Sequence, residues 1–296
     1  MKNYFLFSLA LVFLGFVSLA KLISPQDFQL VVCDVGQGDA ILIQYLNKQV
    51  LVDGGPDQKV LECLGRYMPW FDRQIELVVI SHFDSDHIGG LNDVFLNYTV
   101  NNLLMSKQIK QTDDFKRLDE LIQIKKGIGM KVFSPENTLV LTLAEGLKFQ
   151  PILAFSENIL EDVDGESKKN KVSSNDGSIA IFLSFKNAKA LLMADIEEVG
   201  EQAILKQNLL MDVNLIKVGH HGSKSSTTLP LLTATQPEIA VISVGKRNQY
   251  GHPSSEVIAR LKKFNSLVFR TDLEGDLVFT SNGQIFLFQN KSDWLN

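Results

Sequence analysis

The sequence is short of cysteine and histidine and has no excess of positive charge, and each shortage excludes something. Two cysteines, Cys33 and Cys63, in 296 residues cannot build a disulfide scaffold or a cysteine zinc cluster. They can pair with each other in an oxidising compartment. Cys33, however, lies in an apolar, strand-like run, where a buried free thiol is the expectation. Acidic residues outnumber basic ones by 34 to 29, a net charge of −5, so this is no generic nucleic-acid binder. A polyanionic substrate would need metal ions or local basic loops to supply the positive field. Short-period repeats and low-complexity tracts are absent.

What is present begins with a 45% hydrophobic content, enough for one large core. One uncharged apolar run, Tyr4–Ala20, lies between Lys2 and Lys21. It fits a signal peptide, with Ser18 and Ala20 as small residues at the cut, or an N-terminal membrane anchor; its length favours the anchor. Residues 1–24 are therefore expected to direct export, and residues 25–296 to form one extracytoplasmic domain, anchored or secreted.

After Pro25 the pattern turns to short β-rich runs. Phe28–Val35 and Ala40–Gln44 flank Gly-Gln-Gly as a hairpin, and Gln49–Asp53 is a third strand. Apolar spacing predicts helices over 58–68 and around Leu91–Leu96, with 108–126 helix-like. Further strands are expected at Ile75–Ser81, Leu139–Leu143, Leu147–Leu153, Ser178–Phe185, Ala190–Ala194, Asn214–Val218 and Ile239–Val244. A helix at Glu256–Lys263 and a hairpin over Leu267–Gln289 complete the chain. The polar stretch 161–177 reads as a solvated loop. Two batches of strands with helices between them suit an α/β sandwich better than a doubly wound sheet.

The five histidines are His82, His87, His220, His221 and His252. Each follows an expected strand, in a Gly-, Pro- or Asp-rich loop, where a rigid sheet fixes reactive side chains within reach of solvent. The densest segment, Ser81–Gly90, holds His82, Asp84, Asp86 and His87. Imidazole with carboxylate suits zinc, manganese or iron(II). A turn with helix-capping aspartates would explain one carboxylate there but neither histidine. The apolar run Leu191–Ala194 delivers Asp195 at its end; alone it reads as a capping aspartate, and with the other residues it is a carboxylate that can bridge two ions. Lys217–Ser226 supplies His220 and His221, one to complete a metal shell and one to donate a proton, with Ser223, Lys224 and Ser225 as donors for a phosphate.

Together these residues resemble the metallo-β-lactamase fold superfamily, and within it the C-terminal hydrolase domain of the ComEC family of DNA-internalisation competence proteins. The matching stretches are Asp34–Ala40, Leu51–Gly55, Ser81–Gly90, His220–Ser223 and Tyr250–Pro253. The resemblance implies a four-layer αββα sandwich and metal-assisted hydrolysis by two divalent ions, zinc or manganese. On it, His82 and Asp84 hold one ion, Asp86, His87 and His220 the other, and Asp195 bridges. Asp53 braces the loop. His221 or His252 is the proton donor, and Asp86 is counted with the catalytic set. Asn175 stands where the subfamily has asparagine, and Asp84 and Ala194 stand where the superfamily has histidine and glycine. The full-length competence proteins have many membrane helices that are not seen here, so a DNA channel is not expected. The expected substrate is a phosphodiester, DNA among them. A hydrolase of lactones, thioesters or β-lactams is the rival, since one fold hosts many chemistries. The basic, hydroxyl-rich 222–226 loop argues against it. A non-catalytic binding module is a second rival, and the intact ligand set argues against that.

Overall fold

The computed structural model describes residues 28–106, 112–155 and 173–289. Its first half runs β1 (Phe28–Val32), β2 (Ile41–Tyr45), β3 (Lys48–Val52), α1 (Lys59–Tyr67), β4 (Gln74–Ile75), β5 (Leu77–Ile80), α2 (Ser85–Ile88), α3 (Leu91–Asn97), β6 (Thr99–Val100), β7 (Asn102–Met105), α4 (Asp113–Gly127) and β8 (Lys131–Phe133). The second half runs β9 (Leu141–Ala144), β10 (Leu147–Leu153), β11 (Ile179–Phe185), β12 (Ala188–Leu192), α5 (Glu198–Lys206), β13 (Leu215–Lys217), α6 (Leu229–Thr235), β14 (Ile239–Ile242), α7 (Ser255–Lys263), β15 (Leu267–Arg270), α8 (Thr271–Glu274), β16 (Leu277–Ser281) and β17 (Phe286–Gln289).

Two sheets carry the fold. One has the order β17-β16-β1-β2-β3-β5-β7-β8 and the other β15-β14-β13-β12-β11-β10-β9. Side chains alternate across a strand, and here both faces are apolar. Leu30, Val32, Ile41, Ile43, Val79, Phe149, Ile181, Leu183 and Val241 meet in one core between the sheets. The alternate residues Val31, Leu42, Leu51 and Val78 pack outward under Leu64, Val94, Phe95 and Leu118 of α1, α3 and α4. On the other sheet Leu191, Ile216 and Ala240 pack under Ile204, Leu232 and Leu261 of α5, α6 and α7. Three cores between four layers make the αββα sandwich that the resemblance implies.

Three expectations need correction. The segment Leu267–Gln289 is not one hairpin. Only β16 and β17 pair that way, while β15 lies parallel to β14 in the other sheet. α8 and Gly275, at φ +77°, separate the two, so the chain changes sheets between apolar runs that look alike in sequence. Strands β7 and β8, both short, extend the sheet in parallel beyond the expected strands, with β8 at its edge. Finally, Cys33 and Cys63 are not free thiols but a disulfide with a Cα–Cα separation of 5.9 Å. The buried face of α1, with Val60, Cys63 and Leu64, packs on the sheet face that holds Cys33. Among the described residues no helix is long and apolar enough to cross a membrane. The Tyr4–Ala20 run and most of the polar 161–177 stretch lie outside the described residues.

Candidate metal centre

The functional side chains lie at one end of both sheets, in loops that follow β1, β3, β5, β12, β13 and β14. The loops are welded by backbone contacts. Asp39 N donates to Asp86 O (3.2 Å), Gly54 N to His87 O (2.7 Å) and Gly55 N to Asp39 O (2.7 Å). Glycine is required where chains touch: a Cβ on Gly38 would lie 2.0 Å from Asp86 O, and one on Gly89 would lie 2.1 Å from Pro56 O.

Asp53 is the organiser of the first half. It sits at φ +59°, a conformation that Asp adopts more readily than most residues. Its carboxylate accepts from Ser81 N (2.8 Å), Ser81 Oγ (2.6 Å) and His87 Nδ1 (2.8 Å). These bonds fix two imidazole tautomers. His87 carries its proton on Nδ1, toward Asp53. Ser81 spends its only hydroxyl proton on Asp53, so Ser81 Oγ accepts from His82 Nδ1 at 3.0 Å. A third imidazole is fixed from the other sheet, where His221 Nδ1 lies 2.9 Å from Ser243 O, a group that can only accept. In the neutral form of all three rings Nε2 is thereby left as a lone pair facing inward, the arrangement that such backing bonds impose on metal-binding histidines.

Asp195 meets them there. Its Oδ1 lies 3.4 Å from His87 Nε2, and its Oδ2 lies 3.6 Å from His221 Nε2 and 3.9 Å from His82 Nε2. His221 Nε2 is also 3.3 Å from Asp86 Oδ2. Asp86, His87, Asp195 and His221 form one group whose donor atoms all lie within 4.8 Å of one another. Bonds of roughly 2.0–2.1 Å to a tetrahedral zinc-like ion would space its ligands about 3.3–3.4 Å apart, so the arrangement fits a small divalent cation. Burial makes the same point. His82 Nε2, His87 Nε2, His221 Nε2 and Asp195 Oδ1 are all buried without a hydrogen-bond partner. Four such atoms converging on one point are unsatisfied unless something electropositive joins them.

The electrostatics agree. Burial works against a charged His87, yet the carboxylates of Asp195 and Asp53 raise its pKa well above the ordinary imidazole value. Burial likewise opposes a charged Asp195, but the imidazoles of His221 and His87 hold it well below the carboxylate range. Asp86 is lowered in the same way, against its burial, by the adjoining imidazole of His221 and the charge of His87. Burial, reinforced by the charge of His87, brings His82 down to about 4, leaving it a neutral imidazole. The field at the centre favours a cation.

The structure differs from the sequence reading at several residues. His220, expected with Asp86 and His87, is not in that group; His221 is. Both follow β13 in left-handed backbone, at φ +43° and +51°, and their rings, 6.1 Å apart, take different partners. His220 instead pairs with Glu197, with Nδ1 to Oε1 at 2.9 Å, and its Nε2 lies 3.9 Å from Asp195 Oδ2. His221, expected as a proton donor, is 1% exposed and faces the ligand group. Asp84 stands at the N-cap position of α2, without a side-chain capping bond, and is not among the four grouped donors. Asn175 lies beside His220, with its side-chain nitrogen 3.4 Å from His220 Nδ1. Ser223 is engaged in a hydroxyl relay, Ser223 Oγ to Ser225 Oγ (2.8 Å) and Ser225 Oγ to Glu197 Oε1 (2.6 Å). Lys224 is exposed, as are Lys246 and Arg247. The His252 ring lies 5.6 Å from that of His220, near the centre but outside the grouped donors.

Two functional residues were not anticipated. Glu197 follows Asp195 by two positions in the same loop, a spacing that could have drawn attention to it. Lys217 is fully buried, pairs with buried Asp39 and donates to Ala194 O at 3.3 Å. Ala194 stands at φ +47°, which accounts for glycine being usual at that position. Lys217 thus ties the Asp39 loop of one sheet to the Asp195 loop of the other.

A sequence profile described as the metallo-beta-lactamase superfamily matches residues 33–246. ComE operon protein 3 of Bacillus subtilis is 26% identical over 274 residues, covering 86% of this chain and 33% of its own length. Recombination protein 2 of Haemophilus influenzae is 29% identical over 271 residues, covering 88% of this chain and 30% of its own length. The chain thus spans about a third of these curated relatives. The crystal structure of the metallo-beta-lactamase fold protein YhfI from Bacillus subtilis superposes with a TM-score of 0.55 at 11% identity, covering 86% of this chain and 100% of that one. At that identity the likeness is one of fold.

Proposed function

The chain belongs to the metallo-beta-lactamase superfamily of metal-dependent hydrolases, and we propose that it cleaves phosphodiesters, DNA among them, using two divalent transition-metal ions, zinc or manganese. The observation that carries this is the convergence of three tautomerically fixed Nε2 atoms on Asp195. Asp86, His87 and His221 would hold one ion, and His82 with Asp84 would hold the other. Asp195 lies within 4 Å of His82, His87 and His221 and so would be within reach of both ions. The second set is poorer in nitrogen, so its ion is the looser one. The ions supply positive charge that polarises the attacked group and acidifies water.

The chain's own groups do the rest. Asp53 and Ser243 O keep the imidazoles aimed. His220 is the proton donor to the leaving group. Burial opposes its charge, but the hydrogen bond to Glu197 and the charge of Asp195 raise its pKa above the ordinary value. Nδ1–H is spent on Glu197, so the proton on Nε2 is the one that transfers. His252 stands behind it as a second donor. Lys224, Lys246 and Arg247 supply the positive field that the acidic chain otherwise lacks. The resemblance to ComEC and the name of the recombination relative point to DNA.

Metal analysis of the loaded full-length protein tests the reading, together with assays on bis-p-nitrophenyl phosphate and oligonucleotides under zinc, manganese and magnesium. Bound transition metal with diester hydrolysis is expected. Absence of bound metal would overturn the mechanism, and turnover of lactones or thioesters alone would overturn the substrate.

The domain is proposed to work outside the cytoplasm, tethered by residues 1–24 or secreted after their removal. The Cys33–Cys63 disulfide supports this, because such bonds persist in oxidising compartments. An alkaline phosphatase fusion after Asn296 should be active; an inactive fusion with cytosolic protein would overturn export.

A further inference from the structure

The loop between β14 and α7 holds an aromatic side chain that hydrolysis itself does not use. This loop is pinned. The Asn248 side chain accepts from His252 N (2.9 Å) and donates to His252 O (2.8 Å) and Gly245 O (3.0 Å). At its root, Gly245 N donates to Gln37 Oε1 of the facing sheet's loop (3.3 Å). On this frame the Tyr250 ring lies nearly parallel to His252, with centroids 5.8 Å apart and planes 19° apart. His252 in turn lies 5.6 Å from His220, whose Nε2 is 3.9 Å from Asp195. A continuous row of rings therefore leads from the metal centre to Tyr250, which is 63% exposed. Lys246 and Arg247, four and three residues earlier in the same loop, are both exposed.

We propose that Tyr250 is a stacking platform for an unpaired nucleobase and that it directs the site toward single-stranded nucleic acid. The proposal deepens the phosphodiester reading and rests on it. An aromatic face held rigid loses little freedom when a base settles on it, and every base has a face to offer. In a duplex those faces are already covered, so only a single strand or a frayed end can use the platform. The two cations of this loop track the backbone and add affinity without regard to base. Phosphate would then be read by charge, and the unpaired state by Tyr250.

The test is binding of fluorescein-labelled oligonucleotides to the full-length protein, followed by anisotropy in EDTA so that nothing is cleaved. Oligothymidylate is compared with an abasic phosphate backbone of equal length and charge. The wild type should prefer oligothymidylate. Tyr250→Ala should weaken that binding roughly tenfold, within the range seen when stacking aromatics are removed, and leave the abasic backbone unaffected. Tyr250→Trp should keep the preference. If the alanine variant loses both ligands equally or neither, or if the tryptophan variant fails to retain the preference, the platform is refuted. Equal loss would mark Tyr250 as a prop for His252. Wild-type turnover of bis-p-nitrophenyl phosphate separates the two claims. Without it the phosphodiester reading fails; with it and no base-dependent loss, only the platform fails.

Discussion

Replacing Asp53 by asparagine should weaken metal binding without touching any of the four grouped donors. Asparagine is nearly isosteric and tolerates the left-handed backbone at φ +59°, so the loop keeps its course. What changes is proton traffic. Oδ2 of Asp53 accepts two hydrogens, from Ser81 Oγ at 2.6 Å and His87 Nδ1 at 2.8 Å, while Oδ1 accepts one from Ser81 N at 2.8 Å. With the amide nitrogen in the Oδ1 position, it opposes the Ser81 N–H. In the Oδ2 position, it forces His87 Nδ1 to accept and frees the Ser81 hydroxyl to donate to His82. Both imidazoles then carry their proton on Nε2, where the ion belongs. Losing a hydrogen bond to a buried charged acceptor costs about 1.5–3 kcal/mol. Loss of a second-shell partner typically weakens metal binding about 10–100-fold, or roughly 1.4–2.8 kcal/mol, a range that agrees. Competition against a chelating dye would measure the shift, with circular dichroism confirming the fold. An affinity within twofold of wild type would refute the orienting role of Asp53.

Three other expectations follow from the same geometry. His221→Ala should lose an ion, whereas His220→Ala should keep its metal and slow turnover about 10²–10⁴-fold, as removal of a general acid does; metal loss from the His220 variant would reverse the two roles. Cys63→Ser should lower stability by about 3–4 kcal/mol for a bridge spanning 30 residues, read by urea unfolding with and without reductant, and an unchanged midpoint would discount the bridge. Tyr67 has its pKa raised from 10.0 to about 12 by burial and then by the charge of Asp276. The neutral phenol therefore contributes stability that is complete below pH 10 and lost as pH rises through about 12. Ultraviolet titration should show a late tyrosine step that Tyr67→Phe removes; a wild-type chain without that step would contradict it.

Much of the fold was legible in the sequence because its strands are bounded by glycine and aspartate and its helices repeat apolar residues at the right interval. The family was legible from ordered motifs, and the profile match bears that resemblance out. Short parallel edge strands such as β8, with two of three residues exposed, carry no apolar signature. The sheet change between β15 and β16 is invisible because both runs are apolar and closely spaced. At the centre, composition picked out the histidines and aspartates, but adjacency along the chain could not decide between His220 and His221. That choice is made by two successive left-handed residues, a conformation that the residue types do not announce. Lys217 escaped notice because lysine in a strand reads as a solvated residue; only the buried partner Asp39 gives it meaning.

The order of the strands has a consequence for when this protein can act. β1 lies between β2 and β16, with Phe28 paired to Ser281, so the first strand waits for nearly the last. Asp86 and His87 come from one sheet, and Asp195 and His221 from the other. A growing chain that has reached Phe155 presents two of the four grouped ligands and an unpartnered β1 edge. Such non-local pairing is slow to form. Any activity that depends on the grouped side chains thus waits until both sheets have closed. Latency of this kind needs no inhibitor and no propeptide, because topology supplies the delay.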